Sequence, residues 1–513
     1  MRYAYGMGKY GVNYSIPPSA LPSGMLADGC NVLPNDAGLI TGRGGTVALT
    51  ASALSDAITG LFEYRSGTTT KTLCSYGTKL TYFDSDTDLF TDYVTGITSG
   101  KRTQWCNFAG KAISVNEGAD APQYFDGTTG GALAGTPPNG NTICDWSSRV
   151  WLGGDSTNVA LLTGSCLSNP LDWSTGSTAS GVVQQYIGDT KDPITGIFGF
   201  FDWLLIGKRN QLFKLMGTPP TDATKLAVYP VYAEHGGTVG FTSPWAITQV
   251  GKDCIFLDGF DIKRLSAVDT YGDVETASII PHFREYLKSI ADADYLQYTQ
   301  FFHYKTRQQI WVSIPKSATT HYVFVIDYRF EAEPESSSTS VIYSVFPMAG
   351  MEITCFAGIE NGSVDDMYAG FEDGIVRQLE CDTNDDSATA ISRYFTVVIS
   401  GLDQEVQGGN EYRKQFHQLG TYIKPTETTL TMTPSYALDL LDDTQIRDGT
   451  YTSLVAETVS GWTGTGVKRK NIRLFGVNGK ALALKWTHST VGENFVFHPS
   501  SVDYEYKQKT EIV

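Results

Sequence analysis

The sequence predicts an all-β fold: a β-propeller of six to eight blades, a C-terminal β-sandwich, and one helix inserted among the strands. Three observations carry this. First, pairs of short apolar, aromatic-rich runs separated by Gly, Asn or Asp turns recur along the chain, as at 73–83, 203–215, 254–265 and 367–379. Each pair reads as a β-hairpin. Second, these units follow one another at about 40 to 60 residues, the spacing of propeller blades of three or four strands. Third, composition favours strands: Gly 53, aromatic residues 12%, Thr-rich loops and few long Leu/Ala/Glu/Lys stretches.

Residues 1–50 read as an extended N-terminal arm laid on the outside of the fold. Pro17, Pro18, Pro22 and Pro34 break regular structure, and Gly42-Arg43-Gly44-Gly45 closes the segment. Residues 51–386 read as the propeller, with strand pairs centred near 70–83, 105–126, 145–162, 198–216, 247–265, 300–327 and 353–379. A blade can be assembled from both ends of a chain, so six to eight remain open. A single hairpin cannot bury its apolar face alone. Blades packed face to face bury both faces, and a ring shields all but short edges.

The inserted helix is expected over 280–292, where Phe283, Tyr286, Leu287 and Ile290 fall at helical spacing and Pro281 suits the first turn. It is expected to pack across the edge of the ring. From 387 to 513 the strands lengthen and alternate, as at 394–399, 415–423, 428–433 and 481–486, which suggests a β-sandwich. The acidic, turn-forming run 381–387 marks the boundary.

A chain of 513 residues exceeds one ordinary core, although a propeller can hold most of it. The net charge of -17 is opposite to that of a protein built to grip phosphates. The eight cysteines show no Cys-x-x-Cys spacing, and several (Cys74, Cys254, Cys355) lie in apolar strands, so buried reduced thiols are expected. The N-terminus lacks a signal-peptide core. The longest apolar stretch, 196–207, is interrupted by Asp202 and is too short to span a bilayer, so no membrane insertion is expected.

The residue patterns of catalysis are missing. None of the seven histidines stands in a metal-binding spacing, and His303 and His321 read as structural. There is no Gly-x-Ser-x-Gly elbow and no phosphate-cradling loop. Asp84-Ser-Asp-Thr-Asp88 looks like the opening of a calcium loop, but Leu89 stands where such a loop needs Gly, so a solvated turn is expected. No catalytic residue, metal or cofactor is assigned. Lys468-Arg469-Lys470, with Arg473 nearby, is the compact cationic run: either a solvated strand or a docking contact for an acidic partner.

Several strings, in serial order, resemble the tail nozzle or tail-hub proteins of short-tailed bacteriophages. They are Asp28-Gly-Cys-Asn-Val32 followed by Thr41-Gly-Arg-Gly-Gly45; then Arg149-Val-Trp-Leu-Gly153, Ser168-Asn-Pro-Leu-Asp-Trp173, Asp192-Pro-Ile-Thr-Gly196 and Leu204-Leu-Ile-Gly-Lys208; then Gly240-Phe-Thr-Ser-Pro-Trp245 and Asp258-Gly-Phe-Asp-Ile-Lys-Arg-Leu265 with the helix after Ile280. Together they cover roughly residues 28 to 330. The resemblance marks Asn31, Arg43, Asp172, Trp173, Asp258 and Gly259 as structural motif positions.

It implies a ring of six copies that extends the tail channel below the portal and an adaptor protein. Such a ring retains packaged DNA and conducts it during ejection. It implies a virion location after assembly in the host cytoplasm, contacts with tail fibres or other tail proteins, and double-stranded DNA passing without sequence-specific binding. An acidic lumen agrees, because like charge lets the duplex slide. The alternative is a carbohydrate-binding or glycoside-hydrolysing propeller. Its sialidase-type box Ser-x-Asp-x-Gly-x-x-Trp is absent; the nearest string, 168–173, occurs once and in another order. A generic interaction scaffold would be expected to show Trp-Asp or kelch signatures, which are also absent.

Overall fold

Hairpin follows hairpin because turn and strand chemistry alternate along the chain, and the result is a seven-bladed β-propeller joined to a β-sandwich. The computed structural model describes the chain apart from residues 1, 6–7, 23, 174–180, 217–227, 232–238, 268–273, 333–340, 363, 401–411, 428, 441, 461, 463–465 and 510–513. Blades 1 to 6 are four-stranded antiparallel sheets spanning 58–95, 104–132, 142–186, 194–231, 247–278 and 300–348. Blade 7 contributes Ile353–Asn361, Val364–Phe371 and Val376–Cys381, its fourth strand is Gly45–Ala48 from the other end of the chain, and the short strands Asp385–Asp386 and Thr389–Ala390 lie outside that. Seven lies inside the expected range, and each of the seven expected hairpin centres falls in its own blade.

A threonine introduces the first strand of every blade: Thr59, Thr103, Thr142, Thr195, Thr248, Thr299 and Thr354. In blades 1, 4 and 7 it sits at a β-bulge. There its hydroxyl donates to a carbonyl of the second strand: Ser75 O at 3.1 Å, Gly207 O at 3.2 Å and Gly370 O at 3.0 Å. The bulge bends the strand and strengthens its twist where the blades converge.

Aromatic and aliphatic side chains fill the spaces between blades. Tyr64, Trp105 and Phe125 pack blade 1 on blade 2, and Trp151, Ile197 and Leu204 pack blade 3 on blade 4. Ile58, Cys74 and Cys355 close blade 7 onto blade 1. Each fully buried large side chain contributes about 1.5–3 kcal/mol. The eight cysteines are free thiols, and burial pushes Cys355 up to about 11 and Cys144 up to about 12. The run Asp84–Asp88 is an exposed turn in which Asp86 N donates to Asp84 Oδ1 at 3.1 Å.

The first 50 residues are not an arm on the outside. Arg2–Tyr5, Val32–Pro34 and Ile40–Gly42 join one sandwich sheet, Asp28–Cys30 joins the other, and Gly45–Ala48 closes the propeller. Prolines and glycines there break the segment into strands too short to show a period of two. The first sheet runs Val32–Pro34, Ile40–Gly42, Phe495–Lys509, Tyr412–Pro425, Lys468–Gly479; the second runs Asp28–Cys30, Arg393–Ile399, Leu482–His488, Thr433–Leu438, Thr452–Ser453. The sandwich of 387–513 is thus completed by strands from residues 2–42, and the propeller of 51–386 by residues 45–48.

Propeller and sandwich share one continuous core that includes Val312 and Phe346 of blade 6 with Phe395, Trp486 and Phe497 of the sandwich. The helix Pro281–Ile290 buries Phe283 and Leu287. It lies between blade 6 and the N-terminal segment, with Phe283 5.3 Å from Phe324 and Tyr286 4.6 Å from Tyr14. A second, six-residue helix, Asp443–Asp448, was not expected; Asp442 caps it by accepting from Gln445 N. Among the described residues no helix is long and apolar enough to cross a membrane.

Candidate functional site

Two of the motif residues, Asn31 and Arg43, meet where blades 6 and 7 abut the sandwich. Asn31 Oδ1 accepts from Arg43 Nε and Ala349 N, both at 3.0 Å, and its amide donates to Ser392 O at 2.8 Å. Arg43 grips Asp386 in a two-pronged pair, at 2.9 and 2.5 Å. Such planar pairing fixes direction as well as distance. Beneath it lies Arg393, fully buried, which donates to Glu493 O, Arg43 O and Asn384 O at 3.0–3.1 Å. Burial and then the neighbouring Arg43 lower the Arg393 pKa to about 10, so it remains a cation at neutral pH.

Beside this network a cleft of about 550 Å³ opens between the ends of blades 6 and 7 and the linker 386–392. Arg43, Glu352, Phe371, Glu372, Arg377 and Asp386 are among its lining residues. Glu352 and Glu372 also face buried His321, whose Nδ1 lies 3.9 and 3.8 Å from their carboxylates. His321 Nε2 is 3.2 Å from Arg102 Nη2. A guanidinium can only donate, so Nε2 accepts and Nδ1 carries the proton toward the two glutamates. Burial, and then Arg102, push His321 down to about 3, so the ring is neutral. Burial raises the Glu372 carboxyl, and Glu352 adds to the rise.

Arg102 belongs to blade 2, yet its side chain reaches Thr354 O of blade 7 and His321 of blade 6. Its backbone N–H donates to Glu117 at 2.7 Å, and its guanidinium lies 5.2 Å from the Tyr298 ring. Gln104 accepts from Ile143 N of blade 3 and donates to Pro244 O ahead of blade 5. Side chains of blade 2 therefore reach blades 3, 6 and 7 and the segment ahead of blade 5 at this end of the propeller. The cleft itself presents the carboxylates of Glu352 and Glu372, while His321 stays buried behind them. Among the described residues, no group of three or more His, Cys, Asp or Glu could hold a metal ion.

Arg102→Met is expected to destabilise the propeller by about 3 kcal/mol, because two buried acceptors lose a charged donor. It is also expected to raise the His321 pKa by removing the neighbouring cation. Urea unfolding and the imidazole proton shifts in a pH series check the two effects separately.

The remaining motif residues do not join this site. Trp173 is buried where blade 3 meets blade 2, and its Nε1 donates to Pro170 O at 2.9 Å; Asp172 accepts from Cys166 N at 3.1 Å. Asp258 and Gly259 form the second-to-third turn of blade 5. Gly259 has φ 61°, and Asp258 pairs with Lys263 at 2.6 Å. Lys468, Arg469 and Lys470 begin the strand at the end of the first sandwich sheet. Lys470 meets Glu457 at 3.3 Å, and Arg469 lies 5.6 Å from the Tyr422 ring.

Sequence reasoning missed Arg102, Glu372 and Arg393, and read His321 only as structural. A signal for Arg102 exists. The residue before the blade-opening threonine is Ile at 58, 194, 247 and 353, and Arg102 occupies that place in blade 2.

A further buried acid stands on the sandwich side of the junction. Asp28 Oδ1 accepts from Tyr14 OH and Gly29 N, both at 2.9 Å. Burial raises its pKa above the ordinary carboxylate value, against those hydrogen bonds. The folded state therefore holds this proton to higher pH than the unfolded chain does. Its contribution to stability is fully present below the unfolded pKa and is lost as pH rises through the folded pKa. Asp28→Asn is expected to flatten the fall in stability above the ordinary carboxylate range, checked by urea midpoints of both proteins between pH 4 and 8.

No family model matches the chain, and no curated protein matches it. Solved structures similar in fold are β-propellers. BamB from Moraxella catarrhalis has 14% identity over 68% of this chain and 95% of its own, with a TM-score of 0.37. The Pan2 WD40 domain of Neurospora crassa has 9% identity over 66% and 95%, TM-score 0.37. The Cps50 (Swd1) β-propeller domain of Myceliophteria thermophila has 11% identity over 64% and 99%, TM-score 0.41. Its own sheet order makes the chain a β-propeller protein carrying a β-sandwich.

Proposed function

We propose that this chain is a structural component of a short-tailed bacteriophage tail. In this reading, copies form a nozzle ring, of six, that extends the tail channel, retains packaged DNA and conducts it during ejection. The observation that carries the reading is the welded junction. Asn31 and Arg43, singled out by the resemblance, tie the N-terminal segment, blade 6 and the linker to the sandwich through buried hydrogen bonds. A shared core and a buried polar network make propeller and sandwich one stiff body, which suits a wall that must hold its shape under load. With Arg102 lying across the axis, the DNA path in this reading runs between copies and not through a propeller. The net charge of -17 suits a lumen that duplex DNA slides past.

Electron microscopy of purified particles with this protein labelled tests the proposal. Label on the tail below the portal is expected; particles without tail label overturn it. A glycan-binding or glycan-cleaving propeller is the second reading, favoured by the cleft with Glu352 and Glu372. A soluble monomer that binds an oligosaccharide, with binding weakened at least tenfold by Glu372→Gln, would support that reading instead.

A further inference from the structure

The sandwich carries a cationic, apolar patch in a chain that is otherwise acidic. The strand Lys468–Gly479 pairs with Tyr412–Pro425 and ends its sheet, with no partner on its other side among the described residues. Between its pairings Gln418↔Arg473 and Phe416↔Val477 the strand bulges outward. The bulge presents Phe475, 82% exposed, beside exposed Arg473; Arg469 lies near the start of the strand and Val467, 51% exposed, just before it. An exposed aromatic with an arginine beside it, on a sheet edge that carries a second arginine further along, is a surface built for contact.

The propeller carries the complement. The first-to-second and third-to-fourth turns of a blade lie on the same face. There the neighbouring blades 7 and 1 present Val364 (46% exposed) with Asp365, and Leu89 (59% exposed) with Asp86 and Asp88. Arg65 on the same face is held by Glu63 and Glu360, and the exposed Asp86, Asp88 and Asp365 leave the face acidic around these apolar side chains.

We propose that the Phe475 edge of one copy docks on the acidic blade 7–blade 1 face of a second copy. The two patches differ, so every added copy leaves one of each open, and the contact propagates head to tail until rotation closes a ring. This assignment rests on the ring reading above and names the surfaces that would form it. At a net charge of -17 two copies repel over long range. Attraction must come from this local pairing, which salt screens over about 8–10 Å.

The test is charge exchange on the purified full chain, with oligomer size read by sedimentation velocity and folding checked by circular dichroism. R469E/R473E, and separately D86K/D365K, are each expected to weaken self-association at least tenfold. The four substitutions combined on one chain restore opposite charges and are expected to recover it. Wild-type assemblies are expected to shrink in 0.5 M salt. A monomeric wild type, folded single-patch variants that assemble like wild type, or a folded four-fold variant that stays dissociated each overturns the assignment. Tail label in microscopy together with unaffected assembly would reject this contact while leaving the tail reading intact.

Discussion

Arg393→Ala is expected to lose about 3–5 kcal/mol of stability, the cost of breaking a buried charged network from one side. Its two terminal nitrogens bind three carbonyls, those of Glu493, Arg43 and Asn384, drawn from three separate stretches of chain. Alanine leaves those acceptors buried without a donor, and the volume of a long side chain is left empty. Loosening Arg43 O also loosens the residue whose guanidinium holds Asp386. The loss should therefore appear as a sandwich that unfolds at lower urea than the propeller. Arg393→Lys keeps the charge but offers a point donor in place of a planar fork, and should recover only part of the loss. Amide hydrogen exchange across a urea series checks this, because Leu482–His488 reports the sandwich and Trp203–Lys208 reports the blades. Exchange unchanged from wild type in both segments would show that the network contributes nothing.

The legible part of this fold is the part written in local chemistry. Hairpins at 73–83, 203–215 and 254–265 combine apolar strands with turn residues, and they fall in blades 1, 4 and 5. The helix was legible because Phe283, Leu287 and Ile290 keep helical spacing after Pro281. The threonine that opens every blade was overlooked because one residue per 40 to 60 is faint against the aromatic pattern around it. Turns were harder to see where no glycine marks them: Ser147 and Ser148, Phe201 and Gln308 all adopt left-handed backbone, with φ from 48° to 58°. The role of 1–50 was illegible for a different reason. Strands of three or four residues such as Asp28–Cys30 and Gly45–Ala48 show no period, and their partners lie more than 300 residues away. The junction shares that limit. Asn31 and Arg43 were singled out by resemblance, while Arg393 and Asp386, which complete the network, carry no local signature at all.

Gly45→Val should unfasten the propeller where its two chain ends meet. Gly45 opens the strand that serves as the fourth of blade 7, pairing with Cys381. A Cβ there would collide with Asp385 O and come within 2.5 Å of Thr383 Oγ1, and the backbone N–H of Gly45 is committed to Thr383 O at 2.7 Å. The obstacle is mainly linker backbone, so the strand and the linker at 383–386 must part, which disturbs the strand's pairing with Val376–Cys381 on its other side. The expected cost is about 3 kcal/mol, at the upper end for overpacking. Its distribution distinguishes ring closure from general destabilisation. Blade 7 keeps its three inner strands but loses the fourth, the one that fastens it to the start of the chain. Amide hydrogen exchange should therefore speed up in Val376–Cys381 and in the linker 385–390, which pairs with the same segment, while Trp203–Lys208 in blade 4 stays protected. Gly45→Ala should show the same pattern at smaller amplitude. Equal loss of protection in blades 4 and 7 would mean that the strand contributes stability without closing the ring.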